Sequence, residues 1–128
     1  ALSGDDDKEA VSAAKGILAS FPKINKNGFS AEQKKEYAEL ESSIKEHAQH
    51  IADNAGNIDH QREHLDLMSE DFYDLLKDFG TPKPVYKVFC PMYNDNKGAF
   101  WLSDSREVKN PYLGKEMLSC GEVQEEIK

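Results

Sequence analysis

The sequence predicts a mainly α fold, an antiparallel helical bundle followed by a small C-terminal β-hairpin and an irregular tail that carries cysteine and methionine. Three observations lead there. Apolar residues recur at steps of three and four along three segments; each segment stops at Gly, Pro or Asn; and after Pro84 the period drops to two. A chain of 128 residues is expected to form one domain, 1–128, around a single modest core. Three helices are expected, either as a bundle of their own or as a four-helix bundle that has lost its first member.

The first helix, over 5–22, has Ala10, Val11, Ala14, Ile17, Leu18 and Phe21 on one face and Asp5 to Asp7 at its start, where the helix dipole favours negative charge. Pro22 and the KINKNG stretch end it. The second helix, over 30–55, opens on a capping box, Ser30 with Gln33, and continues through Tyr37, Leu40, Ile44, Ala48 and Ile51. Asn54, Ala55 and Gly56 make a short stop, and Asn57 caps the third helix, over 57–80. Its apolar face is Ile58, Leu65, Met68, Phe72, Leu75, Leu76 and Phe79, and Gly80 and Pro82 close it. So short a turn makes the second and third helices an antiparallel hairpin. In the region 84–121, VYKVFC alternates as a strand, NDNKG is turn chemistry and AFWLS pairs back as a second strand. NPYLGKEMLSCG reads as a turn with one helical turn, and a polar tail is expected from Glu122.

The net charge of −8 lies entirely in the middle: residues 31–80 hold thirteen acids and five bases, while 81–128 hold seven of each. An acidic chain without a basic face is a poor nucleic-acid partner, because Lys and Arg on phosphate supply most of that affinity. No apolar run is long enough to span a bilayer. The carboxylates of residues 31–80, with Asp71, Asp74 and Asp78 among them, read as solvated helix faces.

Special chemistry concentrates in two groups. Cys90-Pro91-Met92 and Met117-x-x-Cys120 bring together two thiols and two thioethers, soft donors suited to Cu(I) and, for thiolate, to zinc. The same cysteines could instead form a disulfide, closing a loop and stabilising it by about 3 to 4 kcal/mol. His47, His50, His60 and His64 flank the turn at Gly56; in an antiparallel hairpin, 47 falls level with 64 and 50 with 60 or 61, so all four gather at one end. His60, His64 and Met68 follow at steps of four along one stripe. From Gly80 back to His60 is ~30 Å of helix, and ten extended residues reach ~33 Å, so Cys90 can return to the histidine end and a mixed site is within reach. A catalytic triad, a phosphate loop and an HExxH motif are all missing, so the expectation is a non-enzymatic protein.

The segments VYKVFCPMYNDNKGAFWLS and NPYLGKEMLSCGEV resemble the signature of an uncharacterised family of exported bacterial domains, approximately CPM, GAxWLS and NPYxGxxMLxCG. Here that is Cys90, Pro91 and Met92; Gly98, Ala99, Trp101, Leu102 and Ser103; and Asn110, Pro111, Tyr112, Gly114, Met117, Leu118, Cys120 and Gly121. Upstream, Gln61, Arg62, His64, Met68 and Ser69 fit the family's His-rich helix end, with Leu65 where an aromatic is usual and Met68 where leucine is usual. The family also occurs fused to periplasmic adaptor subunits of copper and silver efflux systems, and its members usually carry one more helix upstream. The resemblance implies a periplasmic or envelope location and a metal efflux or envelope protein as partner. It also favours metal over disulfide, since CPM resembles the short motif of other heavy-metal-binding modules. The expectation is therefore a Cu(I) capture or handover module with Cys90, Met92, Met117 and Cys120 as ligands and His50, His64, His47 and His60 as additions, zinc being second choice. The alternative is an interaction domain with a Cys90–Cys120 disulfide and no metal.

Overall fold

The computed structural model describes residues 1–127. After a 3-10 turn at Leu2–Gly4, three helices follow: α1 (Asp7–Ser20), α2 (Ala31–Asp53) and α3 (Ile58–Phe79). The side chain of Asp6 accepts the Glu9 N–H and starts α1. Pro22 stops it two residues earlier than expected, turning Phe21–Lys23 into a 3-10 turn. Ser30 and Gln33 form the full capping box of α2, and Asn57 accepts the His60 N–H at the head of α3. Gly80 ends α3 at φ 80°, a conformation that favours glycine.

Behind the helices lie β1 (Val85–Cys90) and β2 (Ala99–Ser103), paired antiparallel as the alternation predicts. Between them Tyr93–Asn96 makes one left-handed turn, with φ of 59°, 54° and 65° at Asn94, Asp95 and Asn96. Asn and Asp tolerate that region best after glycine. The expected polar tail is instead a third strand, β3 (Glu122–Ile127), on the other edge of β1, giving the antiparallel order β2-β1-β3. Val123 and Ile127 are its apolar residues, Glu125 faces α3, where it accepts from Tyr73 Oη at 2.7 Å and Lys77 Nζ at 2.8 Å, and a register shift between Lys87 and Val88 breaks the alternation that would mark a strand.

Two cores result. α2 packs against both α1 and α3, around Ala10, Ala14, Tyr37, Ile44, Ile51 and Met68. The sheet and tail enclose Val88, Cys90, Ala99, Trp101 and Tyr112, and Leu65 on α3 touches both cores. Arg62 fastens the parts together. Buried on α3, its guanidinium donates to the Pro111 carbonyl at 2.8 Å, the Leu2 carbonyl at 2.9 Å and the Asp5 carboxylate at 2.7 Å. Gly114 sits against that ion pair at φ 63°, where any Cβ would collide with Asp5 and Arg62. Among the described residues, no helix is long and apolar enough to cross a membrane.

Candidate metal centre and thiol pair

The register of the α2–α3 hairpin brings the four histidines together as expected. His47 Nδ1 lies 2.9 Å from His64 Nδ1, His64 Nε2 lies 3.2 Å from His60 Nε2, and the rings of His50 and His64 stack with centroids 4.4 Å apart. One ring nitrogen from each of His50, His60 and His64 falls within 4.8 Å of the other two. His50 is exposed and the other two half-buried, so the centre opens to solvent.

The outer ring nitrogens also have neighbours. His60 Nδ1 meets the Glu63 carboxylate at 3.2 Å, a contact that favours the tautomer with its proton on Nδ1. His47 Nε2 faces the Asp71 carboxylate at 3.9 Å, and that carboxylate also accepts from Ser43 Oγ at 2.5 Å. His47 Nδ1 and His64 Nδ1 share one hydrogen bond, donated by whichever ring carries its proton there. His64 Nε2 in turn faces His60 Nε2, so that either a proton or a cation can bridge the two nitrogens. Nitrogens each ~2.05 Å from one ion and 3.2 Å apart subtend about 103°, close to the tetrahedral angle. Burial, together with the neighbouring His50, His60 and His47, lowers the His64 pKa and so favours the neutral ring, the form that can ligate.

Asp71 is therefore not a solvated carboxylate, as its place on an acidic helix suggested. It accepts from Ser43 Oγ and lies beside His47, in the place of an outer partner to the imidazole cluster. The register that sets 47 beside 64 also sets 43 within a turn of 71, a signal present in the sequence. Met68, on the same stripe as His60 and His64, does not join them but is buried in the helical core.

The cysteines form a separate group. Cys90 Sγ and Cys120 Sγ are 3.0 Å apart, both as free thiols. Among the described residues, the cluster of candidate ligand atoms is formed by histidines and contains no cysteine, so the structure does not bring together the mixed histidine–cysteine set that chain reach allows. Reach was sufficient; the obstacle is the direction in which the side chains face. On α3, Arg62 points to the tail and N-terminus, while His60 and His64 point to α2. Met92 and Met117, the expected thioether ligands, have 48% and 38% of their surface exposed.

Around Cys90, burial opposes ionisation, but hydrogen bonds from Cys120, the Met92 N–H, Asn110 and the Tyr93 N–H outweigh it and lower the thiol's pKa. The hydrogen bond with Cys90, reinforced by burial, raises that of Cys120. Of the two, Cys90 is thus the thiol that ionises first. Asn110, fully buried, donates to the Cys120 carbonyl at 2.8 Å while its Oδ1 accepts the Tyr112 and Leu113 N–H groups, both at 2.8 Å. An apolar cavity of about 410 Å³ between Leu2, α1, Met68 and Trp101 is lined by neither histidine nor cysteine.

Fold and site together define a helical-hairpin domain with an imidazole cluster at the hairpin turn and a thiol pair at the edge of a small sheet. The chain belongs to the DUF3347 family of proteins of unknown function, whose model matches residues 1–83. That match takes in α1, the helical hairpin and all four histidines, and it ends before the cysteine-containing tail. No curated protein and no solved structure matches the chain.

Proposed function

We propose that this protein is a non-enzymatic metal-binding module that holds one copper ion on His50, His60 and His64, for capture or handover. The observation that carries this reading is the convergence of one ring nitrogen from each of His50, His60 and His64 within 4.8 Å of one another, with Nε2 of His60 and His64 3.2 Å apart and a partner near the opposite nitrogen of each. Imidazole suits copper and zinc, and in the Irving–Williams order divalent copper binds a given nitrogen site more tightly than zinc. His47 is a positioning residue in this account, acting through His64, and the exposed His50 is the edge at which an ion enters or leaves. The resemblance of the tail to exported domains fused to copper and silver efflux adaptors adds a periplasmic setting and an efflux or envelope protein as recipient.

The test is a competition titration with copper and zinc on wild type and His64→Ala. One ion per chain, held more tightly for copper and lost in the variant, is the expected result. Equal affinity in wild type and His64→Ala would refute the site.

A further inference from the structure

We propose that Cys90 and Cys120 are a reversible dithiol–disulfide couple that exchanges with external disulfides through Cys120. The couple is independent of the histidine centre and needs no metal.

The strand pairing sets the geometry. β1 and β3 are in register at Phe89 and Glu122, so Cys90 at the end of β1 lies beside the segment that leads into β3. Their sulfurs stand 3.0 Å apart. Two thiolates sharing one tetrahedral ion at ~2.3 Å stand about 3.8 Å apart, so this pair is too close for chelation. A bond requires them to close by only about 1 Å. The two sulfurs also differ in access: Cys90 is fully buried, whereas Cys120 is partly exposed, with Met117 and Leu118 exposed just before it. The Met92 and Tyr93 N–H groups and the Asn110 amide face the Cys90 sulfur and stabilise its anion.

These positions define an order of events. Cys120 passes its proton to the Cys90 thiolate as its own sulfur attacks an external disulfide RSSR; the Cys120–SR bond forms and RS⁻ leaves. RS⁻ takes the proton from Cys90. The Cys90 thiolate then attacks the Cys120 sulfur of the mixed disulfide and expels the second RS⁻. The protein has lost two electrons, and RSSR has been reduced to RSH and RS⁻.

The test uses the full chain, with chelator present, in glutathione/glutathione disulfide buffers of graded ratio, read by quenched alkylation and intact mass. The expected result is a two-thiol transition with a midpoint inside the buffer series, approached equally from the reduced and oxidised sides. Cys90→Ser should form a mixed disulfide with glutathione at Cys120 at least about tenfold faster than Cys120→Ser does at Cys90. A pair that stays oxidised in fully reducing buffer is a structural staple, and one that stays reduced in fully oxidising buffer is inert. Either outcome, or equal reactivity of the two single variants, overturns the proposal.

Discussion

The Nε2 atoms of His60 and His64 face each other across 3.2 Å while their Nδ1 atoms are engaged elsewhere, one with Glu63 and the other with His47. The hairpin thus sets two ring nitrogens across a gap that, in the proposed function, one cation bridges.

The outer partners should therefore tune affinity without supplying a ligand. Asp71→Asn removes the charge that orients His47, and through it His64, yet keeps the side chain's volume. Copper affinity should fall about 10- to 100-fold with the far-UV spectrum unchanged. Competition titration against a chelator of known affinity measures this, and an unchanged affinity would detach Asp71 from the site.

Arg62 is the main tie between helices, N-terminus and tail. Arg62→Ala leaves the buried carbonyls of Leu2 and Pro111 without their donor and should cost about 2 to 4 kcal/mol in urea unfolding. Gly114→Ala should also destabilise the fold, because its Cβ falls on the same ion pair and φ is positive there.

The same ion pair predicts a pH dependence. The hydrogen bond from Arg62, followed by that from the Lys115 N–H, lowers the Asp5 pKa. A carboxyl whose folded value lies below its unfolded one stabilises the fold above about pH 4, and the gain is lost as pH falls through the lowered value. Urea midpoints of wild type and Asp5→Asn should separate at pH 7 and converge near ~2. A gap as wide at the acid end as at neutrality would contradict the assignment.

Asn110 organises the tail around the thiols. Asn110→Ala removes a fully buried amide that pairs Cys120, Tyr112 and Leu113, and the loss should be about 2 to 3 kcal/mol. It should also raise the pKa of Cys90, since one donor to its sulfur disappears. Thiolate absorbance at 240 nm against pH, compared with Cys90→Ser, reads this directly.

Much of this was legible in the sequence. Caps at Ser30 and Asn57, the stop at Pro22 and the alternation of VYKVFC follow local rules, and the structure keeps each of them. The gathering of the histidines followed from hairpin register alone. What was not legible depended on facing: chain reach allowed Cys90 to meet His64, but α3 presents its histidines to α2 and Arg62 to the tail. The strand from Glu122 was hidden because its three glutamates look like a solvated tail, although Glu125 is held by Tyr73 and Lys77 of α3, and because a register shift breaks its alternation. Asp71 was missed because one ordered carboxylate among thirteen acids in residues 31–80 carries no compositional mark.

The most direct measurement is anomalous diffraction at the copper edge from crystals grown with one equivalent of copper. A single peak within bonding distance, about 2.0 to 2.1 Å, of nitrogens on His50, His60 and His64 is the predicted result. A peak at the Cys90–Cys120 sulfurs with none at the histidines, or no peak at all, would contradict it.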